Sequence, residues 1–182
     1  MVWLVIAGIA GVLVGVLVLL LLVMMAIGAR LPLAHTATRR VRLPVDRQRV
    51  WDTLTDVAEY PSWRPRVTRV EMLGTEPTRW RELGKDGKIT FAVEAADPPR
   101  RLVTRITDEK LPFGGSWTYD LEPDGPDGAG CVVTVTEHGE VRNLAFRFMS
   151  RYVFGHAATI DGFLTALGTR FGHTAAPESV PT

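Results

Sequence analysis

Four histidines, a single cysteine and a handful of hydroxyls and carboxylates are the residues of this 182-residue chain whose types lend themselves to chemistry. His35, His138, His156 and His173 show neither an HExxH spacing nor a set of cysteine partners, so a zinc site has little support. Gly114-Gly115 lacks the lysine and the following helix of a phosphate loop, and Ser116 and Ser150 stand outside any GxSxG motif. Cys131 follows a glycine-rich turn and opens an apolar stretch, the setting of a buried structural thiol, and as the only cysteine it forms no internal disulfide. No metal and no cofactor is called for. The remaining candidates, His156, Tyr119, Glu82 and Glu137, matter only through the elements that carry them.

His156 lies in a long helical pattern from Asn143 to Phe171, with Gly172 as its stop. At about 100° per residue, Ala145, Met149, Tyr152, His156, Ile160, Phe163 and Leu167 share one side, with Arg147, Arg151, Asp161 and Thr165 elsewhere. His156 is then either a core histidine satisfied by backbone or water, or a polar group that orients a ligand or moves a proton. Gly155 beside it is a place where the helix can kink and change register.

Upstream the period is two. Strands are predicted at Arg66–Leu73, Arg79–Gly84, Lys88–Ala95, Arg101–Thr107, Ser116–Leu121 and Val132–Glu137, separated by turns rich in Gly, Pro and Asp. Such short connections make the sheet antiparallel. Alternation puts Trp80 with Glu82, Ile89 with Phe91 and Val93, Leu102 with Thr104 and Ile106, Trp117 with Tyr119, and Val133 with Val135 and Glu137 on common faces, most of them inward. An inward Glu82 or Glu137 is costly unless paired or protonated, or else sits at a strand end and reaches an arginine such as Arg79, Arg101 or Arg105. Before these strands, Arg40–Pro44 reads as an opening strand. Asp46 is a plausible cap for a helix burying Val50, Trp51, Leu54 and Val57, and a brief second helical turn closes at Pro65. The fold class is therefore α+β: a curved antiparallel sheet around one long C-terminal helix, an arrangement expected to leave an internal cavity.

The ends of the chain differ from this domain. Residues 1–29 contain no charged side chain, and the 27 residues from Val2 to Gly28 span about 40 Å as a helix, enough to cross a bilayer core of about 30 Å with some tilt. No Lys or Arg precedes the apolar run, as a secretory signal would require, so it reads as an uncleaved, single-pass membrane anchor. Arg30, Arg39, Arg40, Arg42, Arg47 and Arg49 follow it, which by the positive-inside rule puts the soluble domain in the cytoplasm. Ala7, Gly11 and Gly15 repeat at four-residue spacing, which either serves a homodimer through Gly11 and Gly15 or reflects the general abundance of small residues in such helices. Residues 30–38 read as a linker, 39–172 as the folded domain and 173–182 as a disordered tail. A formal net charge of +1 argues against a nucleic-acid partner.

Several runs carry a resemblance: Val50-Trp51-Asp52-Thr53-Leu54-Thr55-Asp56, Tyr60-Pro61-Ser62-Trp63-Arg64-Pro65, Pro99-Arg100-Arg101-Leu102-Val103, Trp117-Thr118-Tyr119, and the turn Glu137-His138-Gly139-Glu140-Val141. Together they resemble the START-related polyketide cyclase and lipid-transport superfamily, over roughly residues 39–172. The resemblance implies a helix-grip fold and a pocket for a hydrophobic small molecule, such as a lipid, quinone or polyketide-like compound, and it moves Trp80, Trp117 and Tyr119 towards the pocket wall. With Phe91, Val93, Leu102, Val135 and Glu137 from the sheet, and Met149, Tyr152, His156, Ile160 and Phe163 from the helix, these are the pocket candidates. The expected function is a membrane-anchored binding protein. Its alternatives are a cyclase or dehydratase in which His156, Tyr119 and Glu137 or Glu82 handle protons, and an assembly module working through the small-residue stripe.

Overall fold

The computed structural model describes residues 2–125, 127–155, 157–174 and 176–180. Helix α1 (Val2–Arg30) is followed after three residues by β1 (Ala34–Leu43), whose first half, Ala34–Thr38, lies within the stretch read as a linker. Helix α2 (Arg47–Thr55) starts where expected, because the Asp46 side chain accepts a hydrogen bond from the Arg49 backbone N–H at 3.0 Å. It buries Val50, Trp51 and Leu54. A 3-10 turn (Val57–Glu59) and a single-turn helix α3 (Tyr60–Trp63) follow, and the Tyr60 hydroxyl ties this corner back to α2 by donating to the Leu54 carbonyl at 2.7 Å.

Six strands then form a meander: β2 (Val67–Thr75), β3 (Thr78–Gly84), β4 (Gly87–Asp97), β5 (Arg101–Ile106), β6 (Phe113–Asp124) and β7 (Gly130–Val141). With a short last strand, β8 (Glu178–Ser179), the eight-stranded antiparallel sheet has the order β2-β3-β4-β5-β6-β7-β1-β8, so the first strand pairs with β7. Bulges between Val67 and Arg69, Met72 and Gly74, and Val93 and Ala95 help to bend it. The run Glu137-His138-Gly139-Glu140-Val141 is not a turn: it continues β7, paired with β1 from Ala34 opposite Glu140 to Leu43 opposite Cys131. Within the stretch expected to be a disordered tail, β8 (Glu178–Ser179) pairs with β1, aided by an ion pair from Arg40 to Glu178 at 3.2 Å.

The single C-terminal helix of the sequence reading is interrupted. Helix α4 (Leu144–Met149) runs into a π turn (Ser150–Phe154), the chain breaks at Gly155 with φ at 75°, and α5 (Ala158–Arg170) completes the grip. A π turn closes with bonds one residue longer than an α-helix, and a left-handed residue then redirects the chain, so 3.6-residue periodicity cannot be carried across it. Downstream of the break the pattern resumes. Ile160, Leu164 and Leu167 are wholly buried against the inward residues Leu121, Val133 and Val135, and each such side chain contributes about 1.5 to 3 kcal/mol.

Candidate functional site

The concave face of the sheet is built by the period-two alternation. Trp80, Leu102, Tyr119 and Val135 are buried on it, with Phe91, Val93 and Trp117 packed partly buried beside them, and Ile160 and Phe163 of α5 close over the top. Phe163 is the hub of this layer. Its ring lies 5.5 Å from Trp117, 5.6 Å from Tyr119 and 5.6 Å from Trp63, while Trp80 stacks on Phe91 at 5.4 Å. Edge and offset contacts of this kind add about 0.5 to 1.5 kcal/mol each beyond area burial, so the cluster is a tightly packed one.

Phe163 and its aromatic neighbours take up part of the space in which an internal cavity is expected between sheet and helix. An apolar hollow does remain, displaced to the side, of about 140 Å³ between α2, the 3-10 turn and strands β3 to β5. Leu54, Thr55, Val57, Thr78, Trp80, Val93, Ala96 and Leu102 line it, so three of the pocket candidates border it. A polar cleft of about 190 Å³ opens on the far side of Trp63, between Arg49, Asp52, Asp56, Glu59 and Arg170.

Two polar clusters sit on the concave face. Arg64 donates to Glu82 at 2.6 Å, and the Trp80 indole N–H donates to the same carboxylate oxygen at 3.1 Å. The Arg64 guanidinium also lies 4.6 Å from the Tyr60 ring centre and 5.4 Å from that of Phe163. One oxygen of Glu82 thus accepts from both Arg64 and Trp80, which offsets the cost of burying the carboxylate. Burial pushes the Tyr119 phenol up to about 12, against the opposing pull of Arg64 and of its bond with Thr104. Tyr60 is likewise held well above the ordinary tyrosine value, chiefly by burial. Both are therefore hydrogen-bond donors and not phenolate bases at neutral pH.

Further along the same face, Glu137 lies opposite Trp117 in the β6–β7 ladder. One of its oxygens is 3.6 Å from His35 Nε2, and the other is buried without a hydrogen-bond partner among the described residues. The His35 ring lies over Gly139, where a Cβ would overlap it. His35 was missed as a site residue because the strand was started too late. Extending the alternation of Leu43, Val41, Arg39 and Ala37 back by one step puts His35 on the same inward face. Arg64 was also missed, since it sits in the turn before Pro65 and has no periodic signal.

On the C-terminal segment the candidates separate. Ile160 and Phe163 face the interior, Met149 is half-buried, and Tyr152 is 60% exposed, turned away from the interior by the π turn. His156 lies outside the described residues. Among the described residues no group of three or more His, Cys, Asp or Glu is arranged to hold a metal ion.

The model of the polyketide cyclase/dehydrase and lipid transport family matches residues 34–172. No curated protein matches the chain. Among solved structures, a START superfamily protein from Mycobacterium smegmatis aligns with TM-score 0.59 and 18% identity over 76% of this chain and 97% of its own. The Zhui aromatase/cyclase from a Streptomyces species gives TM-score 0.59 and 16% identity over 76% and 94%. A conserved protein from Geobacillus kaustophilus gives 0.62 and 17% over 79% and 99%. At these identities the likeness is one of fold.

Proposed function

The chain belongs to the polyketide cyclase/dehydrase and lipid transport family, and from that premise we propose that it is a membrane-anchored binding protein for an apolar small molecule: a lipid, a quinone or a polyketide-like compound. The observation that carries this reading is an apolar hollow, bordered by Trp80, in a domain joined by only three residues to a helix long and apolar enough to cross a membrane. At about 140 Å³ the hollow is close to the roughly 150 Å³ apolar cavities known to accept a benzene-sized ring, so it takes one ring or one chain end of the ligand. Tethering raises the local concentration of membrane-dissolved ligands at its mouth. Ala96 is exposed at the rim, where a larger ligand extends outward.

Charge supports a cytoplasmic domain, since no Lys or Arg lies before Arg30 and six arginines lie between Arg30 and Arg49. The four-residue spacing of Gly11 and Gly15 on α1 accords with a homodimer through that helix.

A cyclase reading has one observation in its favour: Glu137 presents a buried oxygen, unpaired among the described residues, on the face that also carries Tyr119 and Trp117. One experiment separates the two readings. The full-length protein is extracted in mild detergent and the molecule it carries is identified by mass spectrometry, beside Ala96→Phe, which fills the rim without touching the core. Binding predicts an apolar compound enriched at least about tenfold in the parent over Ala96→Phe and recovered chemically unchanged after incubation. A ring-closed or dehydrated product supports the cyclase. Equal and negligible recovery from both proteins overturns the binding proposal.

A further inference from the structure

Helix α4 packs against the last turn of α1 and leads on into the π turn. Gly28 makes this possible, because a Cβ there would overlap the Leu144 carbonyl. Arg147 completes the joint: it donates to the Gly28 carbonyl at 3.2 Å, the Leu31 carbonyl at 3.0 Å and the Val141 carbonyl at 3.0 Å. The carbonyls of a helix C-terminus have no partners within the helix, and a guanidinium is well suited to satisfy them. One side chain thus binds the end of the apolar helix to the end of β7.

What this joint holds in place is apolar and open. Tyr152 is 60% exposed, Val153 57% and Phe146 36%, while the Phe148 and Tyr152 rings lie 5.1 Å apart. Leu33, on the connection between α1 and β1, is 47% exposed, and Arg30 and Arg151 are exposed among them. Large apolar and aromatic side chains, a tyrosine with a polar tip and arginines on one short element form the pattern of a segment lying in the boundary between headgroups and acyl chains.

We propose that α4 and the π turn form a foot that lies in the interface of the same bilayer α1 crosses, with Phe146, Tyr152 and Val153 towards the acyl chains and Arg151 at the phosphates. The inference rests on α1 spanning the membrane, and the position of the foot follows from that of Gly28. At about 1.5 Å per residue α1 exceeds a hydrocarbon core of about 30 Å, so its last turn, and whatever packs on it, stands at the interface. The partner is lipid and not a second protein, because the segment is continuous with the lipid-facing surface of α1. The foot leads into α5 through Gly155, whose φ of 75° and open surroundings make it the joint between the membrane-held part and the part closing the binding face.

The test uses the full-length chain in vesicles of phosphatidylcholine and phosphatidylglycerol, with a fluorescent label at Tyr152→Cys, Leu17→Cys or Glu122→Cys and nitroxide lipids of shallow or deep placement as quenchers. Cys131 is wholly buried and does not compete for the label. Glu122 sits on β6 nine residues from Phe113, about 30 Å along the strand from the end nearest the foot. The foot predicts quenching at position 152 at least about twofold above that at 122, strongest with the shallow quencher, while position 17 answers to the deep one. Equal quenching at 152 and 122, with 17 quenched, overturns the foot and leaves the anchor standing. No quenching at either 17 or 152 overturns both, and quenching at 152 without quenching at 17 removes the span and with it the proposal that rests on it. Quenching at 152 lost as protein density falls points to contact between copies and also overturns the proposal.

Discussion

Burial of Tyr119 beneath Phe163 holds its phenol up to about 12, and Tyr60 is raised in the same direction by the same cause. An acid whose folded value lies above its unfolded one stabilises the fold fully below the unfolded value, near 10 for tyrosine, and loses that contribution as pH rises towards the folded value. The unfolding free energy is therefore expected to fall between about pH 10 and 12, by up to about 1.4 kcal/mol per pH unit for each such group, with the thermal midpoint falling alongside, and the slope is expected to flatten in Tyr119→Phe. Calorimetry across that range checks it; a Tyr119→Phe profile identical to the parent's defeats the assignment. At this scale much of the site was legible. Trp80, Leu102, Tyr119 and Val135 turned inward because alternation on a half-buried strand admits no other register. Arg64 was not legible, because its partner Glu82 lies across the fold and a pair distant in sequence leaves no local trace.

The C-terminal helical pattern departs from its sequence reading where α4 meets α1. The helical period running from Asn143 breaks at the π turn and Gly155, and Tyr152 faces outward as a result. Single-helix periodicity is blind to a neighbour that pulls one turn aside, and α1, read only as an anchor, is that neighbour. Gly28→Val is expected to push α4 off α1, since the new side chain meets the Leu144 backbone, while the concave core is untouched. Limited trypsin digestion of the protein in detergent reads this directly: cleavage after Arg147 and Arg151 should rise about tenfold with little change in the thermal midpoint. Unaltered cleavage there shows that the contact carries no weight. Strand limits were also set too narrowly, because β6 and β7 continue through Gly114-Gly115 and Gly139, residues that signal turns in isolation but here permit close approach, as where His35 covers Gly139.

At the scale of the molecule, an antiparallel sheet gripped by a C-terminal helix was readable from the order of elements, because hairpin-length connections leave few alternatives, whereas the pairing of the first strand with β7 spans the whole domain and left no local trace. How full its interior is was not readable either, since the volume taken by Phe163 depends on how closely α5 approaches the sheet. The charge asymmetry around α1 gives a prediction at this scale. In a bacterial host, Glu122→Cys is expected to resist a membrane-impermeant maleimide in intact cells and to react once the membrane is opened. Labelling of intact cells reverses the orientation.

The connection Leu31 to Leu33 is the feature with the widest consequence. Three residues give at most about 10 Å of slack, and Arg147 fastens even that. On the proposed reading of an anchored binding protein, a domain moored so tightly does not ferry a ligand across the cell or reach a second organelle or envelope layer. Whatever loads or unloads it must itself come alongside, which makes the domain a fixed berth and its clients the traffic.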